Sequence, residues 1–423
     1  MKVLVVIDSF KGSLTSSQAE EAVAKALGQR WPGCTVVCMP ISDGGEGMVG
    51  ALLQEHGGKI VRAASHDPLM RSIEATYGIF SPTKRWGSDV GDVVEGGRSS
   101  AINESKDTSG GHSVVAAIEV AEASGLSLLS PDERNPLLTS TYGTGELIRH
   151  ALDHGLRRFL VGLGGSATCD AGLGMMQALG AKLLDADGRE LTACGATLEH
   201  IARIDLTALH PTLRSTMSSS KAERNARSET ATFTVACDVG NPFTGVEGAA
   251  RVFGPQKGAD QAGVEVLERG MEHVRHLFMT QTGIDPNLIV GAGAAGGLGG
   301  ALVALLGARL QSGIDLLMDT LGLDELIPEA DLIITGEGKA DRQTLMGKVP
   351  QGVLLRAQRH GIPVILLAGR VEDADLLLEA GFAQVVQVSP TLLPLEVAMQ
   401  TDVAQRNIAQ ALAHISAWTS PRR

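Results

Sequence analysis

Short runs of consecutive apolar residues recur along this chain, each followed by a loop of glycine, acid and hydroxyl residues and then by a helix-like segment. A run that is apolar at every position is how a strand covered on both faces reads. Strands that alternate with helices point to the α/β class with largely parallel sheets. Lys2–Ile7 is the first such run, with Asp8, Ser9, Lys11 and Gly12 just beyond its end. Thr15 with Gln18, and Ser17 with Glu20, each fit a capping box ahead of a helix to about Leu27. Thr35–Ile41 repeats the layout and delivers Asp43-Gly44-Gly45-Glu46-Gly47, then a helix to about His56. In open α/β sheets the ligand sits at the carboxyl ends of strands. Asp8, Lys11, Asp43 and Glu46 therefore stand where a site would be.

The stretch with the most chemistry is Phe159–Ala181, FLVGLGGSATCDAGLGMMQALGA. Its apolar start reads as a strand, Gly162, Gly164 and Gly165 as a turn, and Ala171–Leu179 as a helix that Ser166 or Thr168 could cap. Strand, glycine turn and helix start would aim free N–H groups at an anion. Asp170 adds a carboxylate beside the turn. A tight connection with no ligand is the alternative.

Elsewhere, Lys59–Ala64 and Ile73–Ile79 read as strands around an HDPLMR turn, and Val114–Val120 as a further strand. Gly145–His154 reads as a helix, and Ala181–Leu184 and Thr232–Cys237 as strands, the last ending in Asp238. RVFGPQKG holds Lys257 in a loop, Glu265–Gln281 is an amphipathic helix, and Gly291–Gly297 is the densest glycine run. Asp331–Thr335 reads as a strand leading to Glu337. Lys348 precedes a helix opened by Pro350, an early position that tolerates proline. Pro363–Ala368 and Gln384–Val388 are strands. Leu395, Val403, Ile408, Leu412 and Ile415 form the buried stripe of a C-terminal helix. Two polar excursions, 81–113 and 215–230, carry little apolar content and read as surface loops.

At 423 residues the length prior is roughly two to three domains. With a net charge of −12, the chain lacks the basic balance of a nucleic-acid or anionic-membrane surface. No apolar run reaches transmembrane length. The first apolar run turns acidic too soon for a signal peptide. The five cysteines are odd in number and lack paired C-x-x-C spacing, which points to reduced, cytoplasmic thiols.

No Walker A pattern, protein-kinase HRD or DFG element, or H-E-x-x-H occurs. G-x-G-x-x-G/A occurs at Gly162, Gly164 and Ala167, with Asp187 about twenty residues on, and again at Gly291, Gly293 and Gly296. An NAD-dependent dehydrogenase acting on a small hydroxy acid is therefore the rival reading.

Eight blocks, in order, resemble the type 1 glycerate kinases of bacteria, and the resemblance runs essentially end to end. They are DSFKGSLTS (Asp8–Ser16), DGGEG (Asp43–Gly47), GTGELI (Gly143–Ile148), GLGGSAT (Gly162–Thr168), ACDVGNPFTG (Ala236–Gly245), GPQKGA (Gly254–Ala259), GAGAAGGLG (Gly291–Gly299) and TGEGKADRQTLMGKVP (Thr335–Pro350). Cys169 and Ala171 stand where the family pattern has Asn and Gly; both are small, so the turn is expected to survive. Met48 replaces a small hydroxyl residue.

The resemblance implies ATP- and Mg²⁺-dependent phosphorylation of D-glycerate, at the 2-hydroxyl with the 3-hydroxyl left open. It also implies two α/β domains with the site between them. The expected division is a Rossmann- or flavodoxin-like domain from both chain ends, 1–66 and 291–423, and an inserted α/β domain, 67–290. Phosphoryl transfer asks the protein for positioning and charge stabilisation. Gly164, Gly165, Ser166 and Thr168 are the expected phosphate cradle, with Gly293, Gly296 and Gly297 as a second. Lys11, Lys257 and Lys348 are candidates for the acid's carboxylate or the transferring phosphate. Lys11, Asp43 and Asp8 are the catalytic candidates, with Asp43 leading for the hydroxyl proton. Asp170, Asp238 and Glu337 compete for metal. Oligomeric state is left open.

Overall fold

The computed structural model describes residues 1–10, 12–41, 47–82, 114–214, 230–413 and 415. Lys11, Asp43 with its neighbours through Glu46, and nearly all of both polar excursions lie outside the described residues. Among the described residues the strands run β1 (Lys2–Ile7), β2 (Thr35–Cys38), β3 (Lys59–His66), β4 (Ser72–Phe80), β5 (Val115–Glu119), β6 (Arg158–Gly162) and β7 (Lys182–Leu184). They continue as β8 (Glu190–Leu191), β9 (Arg203–Asp205), β10 (Thr232–Ala236), β11 (Arg309–Gln311), β12 (Leu332–Ala340), β13 (Val364–Val371) and β14 (Gln384–Gln387).

They form three sheets. The first, in the order β14-β13-β12-β1-β2, is parallel throughout and draws on both ends of the chain. The second runs β11-β10-β6-β5-β4-β3. It is parallel from β11 to β5 and antiparallel over the β3–β4 hairpin and the β4–β5 pair. A small antiparallel sheet, β8-β7-β9, completes the set. The α/β class with mostly parallel sheets holds. Strands β3 and β11, which the sequence division assigns to the end-built unit, bond to β4 and β10 of the second sheet instead. No described helix is long and apolar enough to cross a membrane.

The unbroken apolar character of β1 follows from cover on both faces. Val3, Val5 and Ile7 pack with Ala19 and Val23 of the helix Ser16–Arg30 and with Ile408 and Leu412 of the helix Thr401–Ala413. Leu4 and Val6 face the opposite way, into a core that also contains Ile333 and Leu366 of the first sheet. That same core takes Phe80, Val115, Ala117 and Leu160 from the second sheet, with Leu317 and Val353 from helices between them. The two large sheets thus contribute to one shared apolar layer, which also takes residues from helices.

Caps agree with local chemistry. Thr15 and Gln18 form the capping box of the helix Ser16–Arg30, whereas Glu20 turns inward, where Oε1 accepts from the Ile7 N–H (3.1 Å). Pro350 sits in the first turn of the helix Val349–Arg359. The C-terminal stripe is corrected: Leu395 belongs to a separate short helix, Leu395–Ala398, and is 72% exposed, while Ala404, Ile408 and Leu412 carry the buried face.

Because one core serves both sheets, Phe80→Ala is expected to lower unfolding free energy by about 3 kcal/mol. In urea denaturation the loss should appear as a single transition, coincident by circular dichroism and fluorescence. Two separated transitions would contradict the shared layer.

Candidate active site

Ser16 Oγ joins the end of β1 to the start of the Asp43 loop: it donates to the Ile7 carbonyl (2.5 Å) and accepts from the Ile41 N–H (3.0 Å). On the far side of that loop, Gly47 and Val49 donate to the Glu119 carboxylate at the end of β5 (3.3 and 2.7 Å). Glu119 escaped sequence reading. Its only signal is an acid closing an otherwise apolar strand, VAAIE, where it meets the N-terminus of the helix Met48–His56 and its positive dipole end.

Beyond β6 and β10 lies a pocket of about 230 Å³, lined by Gly164, Gly165, Ser166, Asp238 and Lys257. Lys257 is 3% exposed. Its Nζ donates to Ser166 Oγ (2.9 Å) and to the Thr168 carbonyl (2.7 Å). Among the described residues it has no ion-pair partner. Burial pulls its ammonium pKa down to about 8, against a smaller upward pull from Cys169 and Asp170. The N–H groups of Gly164, Gly165 and Ser166 bond to no other described residue. A buried cation beside three open backbone donors is the chemistry of an anion site. The Asp238 carboxylate lines the same pocket and accepts from the Ile314 N–H (3.2 Å) and Ser312 Oγ (3.3 Å).

The loop that makes this pocket is not a strand-turn-helix. The helix after β6 begins only at Leu173 and has Gly172, not Ser166 or Thr168, at its cap. Thr168 is fully buried and serves through its carbonyl. Asp170 is fully buried too, and accepts from the N–H groups of Thr141 (2.7 Å), Gly172 (3.0 Å) and Gly174 (3.1 Å) and from Thr141 Oγ1 (2.8 Å). Burial raises its pKa and those donors lower it. A carboxylate so enclosed holds the turn together and offers no open oxygen to a metal.

The second glycine run is also used for packing. A Cβ on Gly296 would stand 2.0 Å from the Thr168 carbonyl oxygen, and one on Gly293 2.1 Å from that of Pro242. Gly297 lies against Ala171, whose N–H donates to the Gly296 carbonyl (3.0 Å). All three glycines are buried, so they seat one loop on the other and are not themselves a second cradle. Neither G-x-G-x-x-G/A match opens a helix directly after a strand, as a dinucleotide fingerprint requires. The dehydrogenase reading has no support in this geometry.

At the first sheet, Asp8, Glu337 and Lys348 come together on a separate, larger crevice of about 880 Å³. Lys348 Nζ donates to Glu337 Oε2 (2.7 Å) and Thr344 Oγ1 to Glu337 Oε1 (2.6 Å), so both oxygens of Glu337 are engaged. Asp8 accepts from the Ser9 N–H (2.7 Å). Lys257 and Lys348 therefore line different pockets. Asp170, Asp238 and Glu337 do not converge; among the described residues no three His, Cys, Asp or Glu form a metal cluster.

Comparison with known proteins decides the family. The glycerate kinase family model matches residues 3–420. The chain belongs to the glycerate kinase family. It is 37% identical to the glycerate 2-kinase of Escherichia coli and 36% identical to a glycerate kinase of Halalkalibacterium halodurans, each match covering 98% of both chains. A crystal structure described as a glycerate kinase 2 from Salmonella typhimurium LT2 superposes with a TM-score of 0.76 at 38% identity, covering 98% of this chain and 97% of that one. This enzyme is accordingly a kinase.

The kinase's two glycine loops give opposite predictions. Gly296 has φ 66° and no room for a methyl, so Gly296→Ala should cost at least about 2 kcal/mol in urea denaturation. Ala171 holds φ 56°, a left-handed conformation that an L side chain adopts at a cost, so Ala171→Gly should be neutral to stabilising by up to about 1 kcal/mol. Reversed signs would contradict the loop packing.

Proposed function

We propose that this enzyme transfers the γ-phosphoryl group of ATP directly to D-glycerate, at the 2-hydroxyl, giving 2-phosphoglycerate and ADP. The observation that carries the reading is the anion pocket: Lys257 Nζ and the open N–H groups of Gly164, Gly165 and Ser166 at strand ends of the second sheet. The name of the Escherichia coli relative, a glycerate 2-kinase, supports the acceptor and the position. We take the five-stranded sheet with its helices as one lobe and the six-stranded sheet, including β3 and β11, as the other, with the reaction between them.

In this mechanism the donor phosphates rest on the 164–166 backbone and on Lys257, which stabilises charge as it builds on the transferring group. Lys11, in the loop after β1, anchors the acceptor carboxylate. Asp43 orients the 2-hydroxyl and accepts its proton as that oxygen attacks phosphorus and the bond to ADP breaks. Asp238 fits Mg²⁺, which takes one or two carboxylates together with phosphate oxygens. Bound there, the ion would neutralise charge on the phosphates. The free cysteines suit a cytoplasmic enzyme.

Incubation with ATP, Mg²⁺ and D-glycerate should give 2-phosphoglycerate in a ³¹P spectrum; 3-phosphoglycerate as product would overturn the position, and no glycerate-dependent ADP would overturn the function. Asp43→Asn should keep D-glycerate affinity and lose turnover; full turnover would remove Asp43 from its role. The charge on Lys257 is present below a pKa of about 8 and is lost as pH rises through it. So kcat/KM for ATP should fall above about pH 8, and Lys257→Arg should move that fall upward. Lys257→Met should lower kcat/KM on the order of a hundredfold. A profile flat through pH 8 to 10 would contradict this role.

A further inference from the structure

The five-stranded sheet reverses its winding between β1 and β12. From β1 the order runs outward to β2, and from β12 outward to β13 and β14. The helix after β1, Ser16–Arg30, packs on one face of the sheet with Ile408 and Leu412. The helix after β12, Val349–Arg359, packs on the other face, in the shared core. Chains leaving neighbouring strands in opposite directions open a crevice at the strand ends, and such a switch point is where open α/β sheets hold ligands. The 880 Å³ crevice opens at this place, floored by Asp8 and Ser9 after β1 and by Glu337 and Gly338 of β12.

Two features distinguish it from the anion pocket. Part of its lining is apolar, including Val388, Leu393, Met399 and Ile408. Among the described residues its cations are already matched: Lys348 by Glu337 (2.7 Å), Lys339 by Asp341 (3.1 Å) and Glu372 (3.0 Å), and Arg370 by Glu372 (3.4 Å). A charge-balanced, half-apolar space suits an uncharged ring system and a sugar better than a phosphate chain. Acids at a switch point are also the groups that accept from ribose hydroxyls. The volume falls in the range of sites for ligands of nucleoside size and is far larger than a three-carbon acid fills.

We infer that the switch-point crevice binds the nucleoside end of the phosphoryl donor, base against the apolar lining of Val388 and Met399 and ribose beside Asp8 and Ser9, with the phosphates directed to the Lys257 pocket. The inference rests on the kinase reading for the identity of the donor.

Ala398→Trp and Ser389→Trp each place an indole in the crevice without touching the residues assigned to the reaction. Both should weaken ADP binding, read by calorimetry, about tenfold or more, with KM for ATP rising to match and KM for D-glycerate changing less than about threefold. Ser389 is only half-buried, so it provides a folded variant if Ala398→Trp does not fold. Loss of ADP binding in the variants supports the crevice even if glycerate turnover is absent in the parent enzyme. Folded variants that bind ADP as the parent does, or that raise KM for D-glycerate alone, would overturn it even if the parent phosphorylates glycerate. A parent that binds no ADP would overturn it as well.

Discussion

A lysine ammonium buried with no ion-pair partner among the described residues is costly, and the arrangement around Lys257 depends on how that cost is met. Desolvation works against the charged form, and the smaller upward pull of Cys169 and Asp170 offsets only part of it, while two hydrogen bonds, to Ser166 and to the Thr168 carbonyl, satisfy donors of the ammonium. In the proposed mechanism, a donor phosphate in the adjoining pocket would supply the missing charge. The same two bonds fix the 164–168 loop so that its N–H groups remain open toward that pocket. Binding and loop geometry are therefore one interaction seen from two sides.

Glycine has separate duties in the two loops that meet there. Gly164 and Gly165 leave backbone exposed to a ligand. Gly293, Gly296 and Gly297 let one backbone lie directly on another, and Asp170 gathers the donors of the turn beneath. The shared apolar layer does the equivalent at larger scale. It joins the sheet that carries the half-apolar crevice to the sheet that carries the pocket beside Lys257. A nucleotide has the complementary division, with an uncharged ring at one end and charge at the other.

Much of this was legible in the residues. Unbroken apolar runs marked strands covered on both faces, Thr15 and Gln18 marked a capping box, and Pro350 marked a helix start, because each depends on local chemistry alone. The family blocks located the strand-end loops. What stayed hidden depended on distant partners. Asp170 and Asp238 look alike as loop carboxylates, and only the fold shows that the first is enclosed by Thr141, Gly172 and Gly174 while the second lines a pocket. Gly296 resembles a phosphate-loop glycine until Thr168 is seen above it. Leu395 fits a helical stripe by spacing, yet the helix is interrupted between Ala398 and Thr401, and Leu395 stays exposed. Glu119 became visible only when the helix that it caps was seen to cross onto its strand.

A crystal structure with D-glycerate and a non-hydrolysable ATP analogue would show whether one nucleotide spans the two strand-end sites. The analogue's ring is expected in the crevice beside Val388 and Met399, its terminal phosphates within hydrogen-bond distance of Lys257 Nζ and the 164–166 N–H groups, and glycerate next to them. An analogue bound with its phosphates away from Lys257, or with its ring outside the crevice between β1 and β12, would contradict it.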